Sequence, residues 1–241
     1  MYDILGMAKI ADDIYSDASN STMLKDWSTG QIQDLYENDN FRARVYWRTG
    51  RARIACVCFR GTANWKDTVY ADIGGIGLGL NALAMKINDA VTFTSMIARK
   101  ADIVWLTGHS LGGAFVQIVG AICQLPGVTW NAPGCLALMN QMSSNPVRAL
   151  VGGAGSAGVS MLSSLITAGI GGQVVTLLNK AAAAGGDDAF APIVNFRGNM
   201  DPVSLVGAHV GLPLQTIQLA SQSPHPHSMV PLIQALENRT R

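Results

Sequence analysis

Asp102-Ile103-Val104-Trp105-Leu106-Thr107-Gly108-His109-Ser110-Leu111-Gly112-Gly113-Ala114 is the stretch on which the reading of the fold turns. Residues 102–107 are a short apolar run with strand character, and a helical pattern follows from the glycines through Gln124. A serine set between a strand and a helix can carry its hydroxyl on a sharp turn, lifted clear of the sheet. Such a turn brings main chain against main chain, so Gly108 and Gly112 stand where a Cβ would collide. The helix that opens after Ser110 aims its first N–H groups and its positive end at any negative charge that develops there. In a chain with 26 glycines the bare Gly-x-Ser-x-Gly pattern is weak; the strand before it and the helix after it give it meaning.

Upstream, residues 41–49 and 53–60 predict two strands joined by a tight turn at Gly50-Arg51. The second run is almost wholly apolar, as suits a strand covered on both faces. Residues 2–18 carry Ile4, Leu5, Ala8, Ile10, Ala11, Ile14 and Tyr15 mostly three or four apart, which predicts an amphipathic helix opened by Asp3. Residues 73–80 hold four glycines and read as a mobile apolar loop. Leu80, Leu83, Ala84, Ile87, Val91 and Thr94 then give a helical stripe that ends near Arg99-Lys100. Downstream, 127–132, 193–197 and 214–219 predict further strands, and Met229–Leu236 is a last apolar run.

Strands that alternate with helices predict an α/β protein with a mainly parallel central sheet and helices on both faces. No repeat or linker divides residues 1–241, so a single domain is expected. A Gly/Ala-rich insert at about 149–186 stands apart, with no formal charge from Ala149 to Asn179. A membrane span needs about 20 predominantly apolar residues, and Gly, Ser and Thr dilute every such window here. Packed helices or a lid are expected instead.

Composition excludes several classes. Hydrophobic residues are 49% and charged residues 14%, the opposite of the balance that leaves a chain disordered. Seventeen Lys+Arg against sixteen Asp+Glu leave +1, with no basic block to draw a nucleic acid. Four cysteines are too few for a disulfide scaffold, and none has zinc-site spacing. Cys56 and Cys58, two apart in a strand, would share one face as small buried hydrophobes. The start, Met1-Tyr2-Asp3-Ile4-Leu5-Gly6, lacks the basic and apolar regions of a secretory signal. The expectation is a cytoplasmic protein, one exported by a signal-less route, or one whose leader precedes the numbering.

A serine is a weak nucleophile at its own pKa and needs a base, commonly a histidine oriented by a carboxylate. On this elbow the chain order is Ser, then Asp or Glu, then His. Glu237 follows every histidine and fails that order. Asp201 comes directly after strand 193–197 and a Gly198-Asn199 turn, at the edge where open parallel sheets place their sites; Asp187 and Asp188 lie in an Ala/Gly stretch and suit solvent better. His227 sits in a short loop after the last strand and is favoured over His225, between Pro224 and Pro226, and over His209. The oxyanion needs at least two donors: the N–H of Leu111, and the N–H of Thr62 after the strand 53–60. His109 reads as structural.

Together these residues resemble the class 3 (fungal-type) lipases of the α/β-hydrolase fold. The resemblance rests on Phe59-Arg60-Gly61-Thr62, on Trp65 with Asp67 and Asp72, on the elbow 108–114, on Asp201-Pro202-Val203, on the late His227, and on Met7-Ala8-Lys9-Ile10-Ala11 with Tyr15. It covers about 2–135 and 190–230 and implies a triad of Ser110, Asp201 and His227, an oxyanion hole at Thr62 and Leu111, and hydrolysis of lipid carboxylic esters without metal or organic cofactor. Two departures concern the pocket: Asn131-Ala132-Pro133-Gly134 lacks the family's usual arginine, and the insert has no counterpart.

A triacylglycerol lipase or esterase working through an acyl-enzyme is thus the leading expectation, with a lipid or small ester as substrate and contact with a lipid interface. The rivals are a phospholipase, including a delivered antibacterial-type effector, other serine hydrolases such as a short-chain esterase or acyltransferase, and a catalytically silent module of the same fold. Two segments could act as a lid: the loop at 73–82 or part of 149–186.

Overall fold

A computed structural model describes residues 3–20, 24–29, 34–38, 41–61, 75–139, 193–220 and 225–239, with backbone alone for 75–85. The expected insert at 149–186 and the oxyanion candidate Thr62 lie outside these residues, as do Trp65, Asp67, Asp72, Asp187 and Asp188.

An eight-stranded sheet forms the centre: β1 (Trp27–Ser28), β2 (Leu35–Asn38), β3 (Phe41–Arg48), β4 (Ile54–Phe59), β5 (Ile103–His109), β6 (Gly127–Trp130), β7 (Ile193–Gly198) and β8 (Gln215–Ile217). The order is β1-β3-β4-β5-β6-β7-β8, with β2 also on β3. The strands β4 to β8 are parallel neighbours, and β3 joins antiparallel to β4. The mainly parallel α/β sheet expected from the sequence is present.

Helices α1 (Ile4–Asp13), α2 (Gly75–Ala98), α3 (Leu111–Cys123) and α4 (Met229–Arg239) cover it on both faces. The period of two in β4 sorts the core: Ala55, Val57 and Phe59 face α2 and α3, while Cys56 and Cys58 face α1 and α4. Because β4, β5 and β6 follow one another without a skip, α2 and α3 fall on the same face, as crossovers of one hand require. Helix α3 is buried from Gly112 through Ile122, consistent with its near-continuous apolar sequence. At the front of α1, Asp3 caps the helix by accepting from the Gly6 N–H at 2.8 Å.

Three expectations are corrected. The glycine-rich run is helical from Gly75 onward, so the part of the supposed 73–82 loop that is described is the first turns of α2. Each glycine costs a helix about 1 kcal/mol, but extending a helix that the stripe Ile87, Ala90, Val91 and Ile97 already anchors in the core is far cheaper than starting one. The connection from β3 to β4 is not a tight turn: Trp47 pairs with Ala55, and five residues, 49–53, intervene. Arg53 explains the length, since its backbone N–H and guanidinium both donate to Asp102 beside β5, at 3.0 and 2.9 Å. Finally, β1 and β2 were not foreseen.

Candidate active site

The C-terminal ends of β4, β5 and β7 deliver Gly61, Ser110 and Asp201 to one edge of the sheet, and the chain beyond β8 brings His227 there. Ser110 bridges β5 and α3 with φ +56° and ψ −128°, a conformation non-glycine residues seldom adopt. Its N–H donates to the Trp130 carbonyl at 2.9 Å, and its carbonyl accepts from Gly113 and Ala114. Those bonds hold the strained turn. The two glycines of the elbow are sterically required: a Cβ at Gly108 would run into the carbonyl of Gly112, and one at Gly112 into the carbonyl of Phe59.

Although Ser110 occupies the N-cap position of α3, its hydroxyl makes no cap bond. Instead Oγ lies 2.9 Å from His227 Nε2. His227 Nδ1 lies 2.7 Å from Asp201 Oδ1, and all three side chains are buried. Asp201 Oδ2 accepts from the Ser204 N–H at 2.9 Å, where the chain turns through Val203–Leu205. Burial pushes the Asp201 carboxyl upward, yet the hydrogen bond and charge of His227, aided by Ser204, outweigh it and hold the group below the usual carboxylate value. The carboxylate is ionised at neutral pH and accepts from Nδ1–H, which leaves Nε2 as the proton acceptor facing the serine.

The sequence candidates separate cleanly. Ser110, Asp201 and His227 meet; His225 is exposed, and His209 Nε2 lies 2.9 Å from the Ser204 carbonyl, bracing the turn after Asp201. Leu111, next in the chain after Ser110, is the first residue of α3, where a backbone N–H has no partner within its own helix.

Two residues at this edge were not read from the sequence as parts of the site. Asn131, at φ +47°, donates from Nδ2 to the carbonyls of Pro226 and His227 at 3.2 and 3.1 Å, and its Oδ1 accepts from the Gly198 N–H at 2.8 Å. It ties the end of β6 to both the loop that leads to Asp201 and the loop that carries His227. The sequence pattern places it inside a strand over 127–132, whereas β6 ends at Trp130, and the only signal is a residue type tolerant of positive φ. Tyr15, which reads as part of the apolar stripe of a helix over 2–18, lies just beyond the end of α1 at Asp13; its hydroxyl is 3.0 Å from His109 Nδ1 and accepts from the Gly61 N–H at 3.1 Å.

The parallel sheet with this elbow at its edge defines a lipase-like α/β hydrolase. The family model for the Tle-like phospholipase domain, described as phospholipase-like, matches residues 6–200, and the chain belongs to that family. The matched range ends just before Asp201, so neither Asp201 nor His227 lies within it. Among curated proteins, "Putative lipase ATG15" from two strains of Cryptococcus neoformans var. neoformans serotype D is 26% identical over 140 residues. That alignment covers 50% of this chain and 25% of the relative, so the chain spans only a quarter of the proteins it matches. Among solved structures, a Rhizomucor miehei lipase–propeptide complex is 16% identical, with a TM-score of 0.38 over 54% of this chain and 50% of that one.

Proposed function

We propose that this chain hydrolyses carboxylic ester bonds of lipids through an acyl-enzyme on Ser110. The observation that carries the proposal is the unbroken line from Ser110 Oγ to His227 Nε2 at 2.9 Å and from His227 Nδ1 to Asp201 Oδ1 at 2.7 Å. As Oγ attacks the ester carbonyl, Nε2 takes its proton, and Asp201 holds the ring in the required tautomer and stabilises the imidazolium. The oxyanion is received by the N–H of Leu111, with Thr62 as the second donor. The imidazolium then protonates the departing alcohol. Water, deprotonated by the same Nε2, attacks the acyl-enzyme and releases the acid.

Both glycerophospholipids and triacylglycerols present the carboxylic ester this chemistry needs. Membership of a phospholipase-like family favours the phospholipid as substrate, and the lipase name carried by the fungal relatives keeps the triacylglycerol as the second reading. A panel of a short-chain butyrate ester, a long-chain triacylglycerol and a phosphatidylcholine, run with the wild type and Ser110→Ala, tests both layers. Activity on any of the three that vanishes in the variant supports ester cleavage, and the preferred lipid identifies the class. Serine-independent turnover would overturn the reading.

A further inference from the structure

His109 and Tyr15 stand outside the mechanism above, yet both are tied to it through buried polar groups. His109 is 3% exposed, directly precedes the nucleophile, and puts Nε2 2.6 Å from the main-chain carbonyl of His227. A carbonyl only accepts, so Nε2 carries the proton and Nδ1 must itself accept. The Tyr15 hydroxyl, 3.0 Å from Nδ1, is the donor, and its oxygen in turn accepts from the Gly61 N–H at 3.1 Å. The Tyr15 ring meets the His109 ring edge-on, with centroids 5.8 Å apart. Donors and acceptors alternate without conflict along the whole chain: Gly61 N–H to Tyr15 O, Tyr15 O–H to His109 Nδ1, His109 Nε2–H to His227 O.

This line crosses the site from one side to the other. Gly61 precedes Thr62, the candidate oxyanion donor, and there is no room beside it: a Cβ on Gly61 would lie 2.6 Å from the His109 carbonyl oxygen and 3.1 Å from Ser110 Cβ. His227 carries the base. We propose that Tyr15 and His109 form a positioning relay that registers Gly61, which closes on Ser110, against the backbone of His227, so that nucleophile and base meet in fixed relation. The inference rests on the reading of Ser110 and His227 as nucleophile and base. Burial and the neighbouring His227 hold His109 neutral, with its pKa brought down to about 3, so the relay keeps its tautomer across the neutral range. The titratable groups around it are Tyr15, His227 and, more distantly, Asp201.

A misplacement of about 1 Å in such a site costs on the order of 100-fold in rate. The test compares Tyr15→Phe, His109→Asn and His109→Gln with the wild type, by ester kinetics, fluorophosphonate labelling and thermal unfolding. Asn can still accept from Tyr15 but does not reach His227; Gln extends an amide donor toward the place of Nε2. The relay predicts folded variants in which Tyr15→Phe and His109→Asn lose about 10- to 100-fold in kcat with KM nearly unchanged. His109→Gln, which keeps a donor toward His227 but gives Tyr15 no acceptor, breaks the same link as Tyr15→Phe and shows a loss of the same size. Combining Tyr15→Phe with His109→Gln adds little to either single loss if the two act as one relay, and fully additive losses would overturn it. So would unchanged kcat in Tyr15→Phe. An inert, unlabelled wild type would instead overturn the functional reading, and the relay with it. Should the variants not fold, nitrogen NMR of the wild-type histidines decides: a neutral Nε2–H ring at 109 from about pH 5 to pH 8 supports the relay, and an Nδ1–H or charged ring overturns it.

Discussion

Asp201 and His227, 26 residues apart in the chain, meet at 2.7 Å with both side chains excluded from solvent. A buried ionised carboxylate persists only where it is paired and hydrogen-bonded, and here Nδ1–H donates to one oxygen and the Ser204 N–H to the other. Replacing Asp201 with Asn leaves the shape intact but offers the ring an amide donor that favours the wrong tautomer. A fall of about 10⁴-fold in kcat is expected, by the behaviour of serine-protease triads. Steady-state ester kinetics check this, and a larger loss in Asp187→Asn or Asp188→Asn would reassign the acid.

The two histidines of the last loop should behave oppositely. His227→Ala removes the proposed base and should cut ester turnover to the residual rate expected of a site without its triad. His225→Ala changes an exposed side chain and should retain turnover within a few-fold. The two variants, assayed side by side on one substrate, settle which imidazole serves Ser110.

Stability should fall in acid for a reason that can be traced to one ring. His109 has its pKa lowered from 6.5 to about 3, by burial first and by His227 second. Between those values the unfolded chain takes up a proton that the folded chain refuses. This contribution is therefore complete above about pH 6.5 and is lost progressively as the pH falls toward 3. From about pH 8 to pH 5 the ring alone accounts for about 2 kcal/mol. The depressed Asp201 acts in the same direction but lower, below its unfolded value of 3.8. Urea unfolding at several pH values should show a shallower slope for His109→Gln than for the wild type above about pH 4. Identical slopes would contradict the assignment.

At the elbow, Gly112→Ala would drive a methyl group into the Phe59 carbonyl, and main chain of β4 cannot yield as a flexible side chain can. The expected cost is about 1–3 kcal/mol or more, together with lost activity as the turn at Ser110 shifts. Differential scanning calorimetry gives the first quantity. An alanine variant of wild-type stability and rate would mean that the turn is looser than the bond from Ser110 N–H to Trp130 implies.

The buried ion pair of Asp13 and Arg44, 3.4 Å apart, is a separate stability test. Asp13 also accepts from the Tyr46 hydroxyl at 2.8 Å and the Asn20 N–H at 2.6 Å, while Arg44 donates to the Ser16 and Asp17 carbonyls. Removing one partner strands the other charge, so Asp13→Ala should cost about 3–5 kcal/mol in urea unfolding. A cost under about 1 kcal/mol would show that water reaches the pair.

What was legible in the chain was whatever local pattern decides. The strand, elbow and helix at 102–124 were readable because glycine at 108 and 112 has a single steric reason to be there. The order Ser110, Asp201, His227 followed from the topology that this elbow imposes. The edge strands at Trp27–Ser28 and Leu35–Asn38 were not readable, since they are two and four residues long and exist through pairing with β3. The helix from Gly75 defeated a reading based on glycine propensity, because packing farther along α2 outweighs it. Tyr15 and Asn131 were missed for a third reason: their roles depend on partners 94 and 96 residues away. No spacing rule reports such distances.

The most direct test is to treat the folded wild type with a fluorophosphonate and locate the adduct by mass spectrometry of its peptides. A single phosphonyl group on the Ser110 peptide, absent from Ser110→Ala and formed far more slowly in His227→Ala, is the predicted result. No adduct on the folded protein, or one that survives the loss of the Ser110 hydroxyl, would contradict the account at its centre.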